Sequence, residues 1–207
     1  MKTFEIIVAV LVILSLVYVS FVLTLADWLS ALRKGQAVAL LPERNGRKYP
    51  FWAQIGLVVL GMAIFAAMAY FLWIPLFSLS ASTTFILELL GLLLYAAGCG
   101  FMLWARRTLG KMWGLSTSQQ VKLFDDHQII QSGPYAFVRN PMYFGWDVAM
   151  FGLILLYPVW MVLLMFLFSM VAFIGRAHRE DAALAERFGE AWMEYKKRTK
   201  FLIPFVY

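Results

Sequence analysis

Long apolar runs separated by polar stretches organise this 207-residue chain. Ile6–Ala26 and Phe51–Trp73 are runs without a charge, and Phe85–Trp104 is an apolar run with one charged residue, Glu88. Each has the roughly 20 residues that an α-helix needs to cross the hydrocarbon core of a bilayer. The pattern therefore predicts three membrane spans, at 6–26, 51–73 and 85–104.

A fourth run, Val148–Gly175, holds 28 residues without a charge. It is long enough for one tilted helix or for two short helices broken at Tyr157-Pro158. The basic residues favour the second interpretation. If the run turns back, 17 of the 18 Lys and Arg residues fall on one side of the membrane, as the positive-inside rule requires of the cytoplasmic side. We therefore predict a helical hairpin with arms at 142–156 and 159–175.

From Arg176 the pattern becomes amphipathic, with large apolar residues at helical spacing between charges. The resulting prediction is a single all-α integral membrane domain over 1–207. It has about five transmembrane segments, the last two forming a hairpin, plus a cytoplasmic amphipathic C-terminal helix. The predicted location is a bacterial inner membrane, with the protein multi-pass and its C-terminus in the cytoplasm.

The amino-acid composition argues against nucleic-acid binding and against a metal site. The chain is 62% hydrophobic and only 14% charged, with a net charge of +6. That charge follows from the topology, so we expect membrane lipid and no nucleic acid as a partner. One cysteine and two histidines make a metal site improbable, because Cys and His clusters supply most such sites. We therefore expect no metal.

The stretch Ser132–Gly145 carries the densest set of special-purpose residues. Gly133-Pro134 and Asn140-Pro141 are turn dipeptides, and Pro141 suits the first turn of a helix. The loop therefore bends twice and enters an apolar helix. We expect it to form one wall of a cofactor pocket.

Several candidate residues also have structural interpretations. Glu180 and Asp181 could accept hydrogen bonds from a polar ligand, or they could simply be solvent-exposed residues at the start of a helix. Arg176 lies one turn before Glu180 on the same helix face. Gly98 and Gly100 permit either close helix packing or approach to a ligand. Asp147 is an acid within an apolar segment, which favours a functional role, although a first-turn acid also stabilises a helix N-terminus.

Four segments together resemble the integral-membrane methyltransferases typified by isoprenylcysteine carboxyl methyltransferase and phosphatidylethanolamine N-methyltransferase. The segments are ARRTLGKMW (105–113), HQIIQSGPYAFVRNPMYFG (127–145), RAHRED (176–181) and FGEAWMEYKKRTKFLIPF (188–205). The resemblance covers about half the chain and implies a cofactor-site region at 105–145 and 176–207. It implies S-adenosylmethionine as the cofactor.

The resemblance also implies site residues. Arg139 and Glu180 are the expected catalytic residues. The expected cofactor-binding residues are Gly98, Gly100, His127, Gly133, Pro134, Tyr135, Arg139, Asn140, Pro141, Tyr143, Arg176, Glu180 and Asp181. Asn140 stands where the carboxyl methyltransferases have histidine, and Asp181 where the family has a second glutamate. Whether these two residues substitute for the family residues stays open.

The implied reaction is methyl transfer to a lipophilic small-molecule or prenylated substrate in the membrane, most similar to isoprenylcysteine carboxyl methylation. Phospholipid N-methylation and S-methylation of a small thiol are alternatives, so the acceptor atom is open. Sterol reductases resemble the family in their C-terminal half, and a non-catalytic membrane protein is the remaining class. S-Adenosylhomocysteine and NADPH binding would separate these classes.

Overall fold

The computed structural model describes residues 2–18, 50–112 and 128–206. Every regular element within these residues is helical, which confirms the all-α prediction for this part of the chain. The α-helices are α1 (Lys2–Val17), α2 (Phe51–Leu72), α3 (Ala81–Leu109), α4 (Pro141–Leu156), α5 (Trp160–Phe188) and α6 (Glu190–Arg198). Two short 3-10 helices cover Gly110–Met112 and Gly133–Ala136.

Three of the described helices are long and apolar enough to cross a membrane. They are Trp52–Leu72, Ala81–Leu109 and Trp160–Phe188, and α4 is apolar but shorter. The predicted span 6–26 is helical as far as Val17, and its part from residue 19 onward lies outside the described residues. The apolar helices identify an integral membrane protein.

The uncharged run at 148–175 is interrupted between α4 and α5, at the predicted Tyr157-Pro158 position. Pro158 lacks the N–H that a continuous helix requires there. Its carbonyl accepts a hydrogen bond from Leu76 N at 2.8 Å, and Trp160 N donates to Ile74 O at 3.1 Å. These two hydrogen bonds join the connection between α2 and α3 to the break between α4 and α5.

Helix α5 extends well beyond the predicted span 159–175. It runs unbroken to Phe188 and ends at Gly189, whose φ of +51° suits glycine. No proline lies near Arg176 and the helix continues through Gly175, so the amphipathic segment begins as the second half of α5. The apolar pattern located the end of the uncharged run, which is not the end of the helix.

The chain divides into two units. Within the described residues, the first contains α1 and the beginning of α2, up to Leu57. Val8 and Val12 are buried apolar side chains of α1. The second unit contains the rest of α2 and all later described elements.

Helices α3 and α4 approach each other closely through facing glycines. A Cβ atom on Gly98 would overlap the backbone of Ala149 and lie 2.5 Å from Gly145 O. A Cβ on Gly152 would lie 2.6 Å from Gly91 O. Small residues let membrane helices pack backbone to backbone. This pairing fixes the level at which α4, and the loop before it, meet α3.

Candidate active site

The loop before α4 has a shape that only glycine permits at its start. Gly133 has a φ of +58°, and a Cβ there would lie 2.8 Å from Thr108 Oγ1. The following 3-10 turn buries Pro134 and Tyr135. Pro141 is buried at the first position of α4, where a missing N–H costs nothing. The predicted double bend is therefore present.

Hydrogen bonds to main-chain carbonyls join the loop to the C-terminal segment, residues 190–206. Arg139 N donates to Lys200 O at 2.8 Å, and Lys200 N donates to Phe137 O at 3.0 Å. The Asn140 side-chain amide donates to Phe201 O at 2.9 Å, and the Tyr195 hydroxyl to Tyr135 O at 2.7 Å. The C-terminal segment thus packs against the loop and holds it in position; the two together are called the loop framework.

The Arg139 side chain connects the loop to α5 and to the C-terminal segment. Its Nε contacts Asp181 Oδ1 of α5 at 3.1 Å, and its Nη1 donates to Thr199 O at 2.7 Å and Lys196 O at 3.3 Å. Lys196 Nζ contacts the other Asp181 oxygen at 2.6 Å. The Arg139 and Asp181 side chains are only 10% and 12% exposed. Both are therefore largely committed to contacts within the protein.

Glu180 lies in a more open position one residue earlier on α5. Tyr143 Oη donates to its carboxylate at 2.9 and 3.0 Å, and Arg176 Nε donates at 2.9 Å. The Arg176 and Glu180 side chains are 34% and 27% exposed. The spacing-based pairing of Arg176 with Glu180 is therefore observed, and both charges remain within reach of a ligand.

An apolar layer supports these polar groups. Ala177, Phe201 and Leu202 are buried together. The Tyr143 ring stacks on Phe173 of α5, with ring centroids 4.9 Å apart and planes 20° apart. This packing fixes the phenol that reaches Glu180.

Two tyrosines of the framework stay neutral at ordinary pH. Burial raises the pKa of Tyr135 well above its usual value, and the charges of nearby tyrosine and glutamate side chains raise it further. Burial is also the main cause that raises the pKa of Tyr195. Neither phenol can act as an ionised base near neutrality.

The structure separates the two predicted glycines of α3. Gly98 packs against α4, whereas a Cβ on Gly100 would meet nothing within 4 Å. His127 lies outside the described residues. Within the described ranges, no group of three or more His, Cys, Asp and Glu residues is placed to hold a metal ion. The other predicted site residues occur along the loop and on the facing turn of α5.

Sequence reasoning missed several partners of these residues. Thr199, Lys196 and Phe201 offer main-chain carbonyls to the loop. Backbone acceptors have no residue-type signature, so the sequence could not identify them. Lys196 was visible as part of a basic cluster, but its partner Asp181 lies 15 positions away.

A sequence model of one family, phospholipid methyltransferase, matches residues 86–191. Protein-S-isoprenylcysteine O-methyltransferase of Homo sapiens is 36% identical over 87 residues, which are 40% of this chain and 29% of the human protein. The Saccharomyces cerevisiae protein of that name is 30% identical over 135 residues, which are 64% of this chain and 55% of the yeast one. The chain thus spans about half or less of these relatives.

A solved structure has a similar fold. It is that of the eukaryotic intramembrane Ras methyltransferase isoprenylcysteine carboxyl methyltransferase, and the TM-score is 0.53 at 22% identity. The match covers 76% of this chain and 55% of that chain. The similarity establishes a shared membrane fold over most of the present chain.

Proposed function

Because the chain belongs to the phospholipid methyltransferase family, we propose that it transfers a methyl group from S-adenosylmethionine to a lipophilic acceptor in the membrane. The first candidate acceptor is the carboxylate of a prenylated cysteine. The names of the human and yeast relatives support this choice. The fold shared with the intramembrane Ras methyltransferase agrees with it.

The observation that carries the proposal is the Tyr143–Glu180–Arg176 group on apolar helices. Glu180 presents a carboxylate that is 27% exposed, and Arg176 presents a guanidinium that is 34% exposed. A carboxylate suits the hydroxyls or ammonium of S-adenosylmethionine, and a guanidinium suits its carboxylate. The donor set therefore fits this cofactor. Gly133, Pro134 and Tyr135 would supply the facing loop wall.

Arg139 and Asp181 have a different role in this proposal. Because their charged groups are buried and bonded to each other and to the C-terminal segment, they hold the loop in place. Arg139 is then a positioning residue for Tyr143, which lies one turn further along the chain. Asn140 acts in the same way through Phe201 O.

The chemistry needs few groups from the protein. S-Adenosylmethionine supplies a methyl group made electrophilic by its positively charged sulfur. A carboxylate acceptor needs no base. The protein's contribution is then to align the acceptor with the methyl group and to exclude water from the acceptor's charge. Apolar helices beside the polar group suit both tasks.

The second candidate acceptor is the amine of a phospholipid. The family description favours it, as does Asp147, an acid of α4 with a buried oxygen that has no hydrogen-bond partner among the described residues. Methylation of a small thiol has no comparable observation in its support.

The proposed topology has five membrane segments, with the α4–α5 pair as a hairpin. The C-terminal segment then lies in the cytoplasm, and a bacterial inner membrane is the proposed location. The distribution of basic residues supports this orientation, because cytoplasmic loops carry the Lys and Arg excess.

Calorimetric titration of the detergent-purified protein with S-adenosylhomocysteine and, separately, NADPH tests the cofactor. We expect saturable binding of S-adenosylhomocysteine and none of NADPH. Binding of NADPH alone would instead favour a reductase. Binding of neither ligand, repeated in lipid nanodiscs, would favour a non-catalytic protein.

A further inference from the structure

Helix α4 carries an unusual carboxylate, Asp147, one turn beyond Tyr143. Its Oδ1 atom is buried and has no hydrogen-bond partner among the described residues. The neighbouring carboxylates of the site differ, because Glu180 and Asp181 both have charged partners. Burying a charged oxygen without a partner is costly, and an acid inside an apolar span indicates a functional site.

Aromatic side chains share the face of α4 on which Asp147 lies. Tyr143, Trp146 and Asp147 are spaced i, i+3 and i+4, which places them together on one side of the helix. Tyr143 stacks on Phe173 of α5, and Trp146 meets the same ring edge-on, with centroids 5.8 Å apart. Trp146 Nε1 is also buried without a hydrogen-bond partner among the described residues.

Helix α3 packs against the opposite face of α4, and the face that carries Tyr143 and Trp146 meets α5. Gly145, Ala149 and Gly152 form the face of α4 that meets α3. Asp147 is about 160° to 200° away from Gly145 and Ala149 around a helix of 3.6 residues per turn. It therefore lies opposite α3 and one turn deeper in the apolar helix than the Tyr143–Glu180 contact.

We infer that Asp147, with the rings of Tyr143, Trp146 and Phe173, binds an ammonium group of the methyl acceptor. A carboxylate attracts this cation and accepts its hydrogen bonds, and aromatic faces attract it further. The negative charge would repel an acceptor's carboxylate from the same position. This inference rests on the proposed methyl transfer and narrows its substrate class to lipophilic molecules that carry an ammonium group.

Two kinds of lipid supply this chemistry. S-Prenylated cysteine with a free amino group carries its ammonium beside the carboxylate, and the ethanolamine phospholipids carry it at the head group. Each has a matched molecule without the nitrogen. S-Farnesylcysteine corresponds to S-farnesylthiopropionic acid, and phosphatidylethanolamine corresponds to phosphatidylethanol.

The test is binding of these four ligands to the full chain in nanodiscs, measured by calorimetry with and without S-adenosylhomocysteine. We expect one ammonium ligand to bind roughly tenfold more tightly than its nitrogen-free counterpart, the scale of a hydrogen bond to a charged group. The pair that shows the preference identifies the source. Asp147→Asn should abolish the preference.

Glu88→Gln is the matched control, because it removes one carboxylate from another apolar helix and should keep the preference. Equal binding of both members of each pair by the wild-type protein would overturn the inference, as would an unchanged preference in Asp147→Asn. The wild-type comparison decides the matter even if that variant fails to fold. Failure of S-adenosylhomocysteine to bind is a separate result, which contradicts the methyl transfer itself.

Discussion

At the scale of single residues, adjacent acids on α5 have different surroundings. Glu180 contacts Tyr143 and Arg176 and is 27% exposed, whereas Asp181 contacts Arg139 and Lys196 and is 12% exposed. Consecutive helical residues point about 100° apart, so Glu180 faces Tyr143 and Arg176, whereas Asp181 faces Arg139 and Lys196. We therefore propose that Glu180, which is the more exposed of the two acids, contacts the ligand.

Replacing Glu180 with Gln should weaken binding of S-adenosylhomocysteine roughly tenfold, because a charge-assisted hydrogen bond becomes a neutral one. Calorimetric titration measures this change. Glu194→Gln is the control, since Glu194 is 66% exposed and pairs only loosely with Lys197 at 3.4 Å. Equal affinity of Glu180→Gln and the wild type would remove Glu180 from the binding site.

The structure brings together several of the residues predicted for the site, but the sequence did not specify their pairings. Arg139, Glu180 and Asp181 were all predicted to be site residues from the family resemblance. Their spacing could not decide which acid Arg139 contacts, because that depends on the rotation of α5 relative to the loop. Arg139 also donates to the main-chain carbonyls of Lys196 and Thr199. Every residue has such a carbonyl, so the sequence could not predict these two partners.

At the scale of elements, the loop before α4 depends on the C-terminal segment for its position. Arg139→Lys should lower the free energy of unfolding by about 2 kcal/mol, because an ammonium cannot reproduce the guanidinium's fixed set of hydrogen bonds. Faster amide hydrogen exchange at Lys200, whose N–H bonds Phe137 O, would report detachment of the segment.

Arg198→Lys provides the matched comparison, because the hydrogen bond of Arg198 to Gln131, at 3.2 Å, is exposed. It should leave both measurements unchanged. If the two variants behaved alike, the buried Arg139 contacts would have no special role in holding the loop.

The pairing of α3 with α4 depends on Gly98. Gly98→Ala should lower the free energy of unfolding by about 1–3 kcal/mol, since the new methyl group would overlap the α4 backbone. Gly100→Ala should be neutral or slightly stabilising, because its Cβ meets nothing within 4 Å and alanine favours a helix over glycine. Thermal unfolding in detergent compares the two variants. Similar losses in both would contradict this packing.

Hydropathy predicted the apolar helices well, because the bilayer requires long uncharged runs. It left the role of Gly98 open, since glycines in a membrane helix permit close packing or approach to a ligand. Only the facing Gly145 and Ala149 decide for packing. The continuation of α5 past 175 was also missed, because charge patterns mark the membrane boundary and not the helix end.

At the scale of the whole molecule, the polar residues of the candidate site cluster at one end of the apolar parts of helices α4 and α5. The loop, the second half of α5 and the C-terminal segment all meet there. On the basis of family membership, we propose a site that accepts one reactant from water and one from the bilayer. Asp147 lies one turn deeper in the apolar helix, where the acceptor's head group is proposed to bind.

The most direct measurement is methyl transfer by the purified protein in lipid vesicles, supplied with methyl-labelled S-adenosylmethionine and S-farnesylcysteine. Our account predicts label in the lipophilic product, formed as a base-labile methyl ester or as a stable N-methyl group if the phospholipid amine of the vesicle is the acceptor. Absence of label from every lipid, in protein that remains folded, would contradict the proposed methyl transfer.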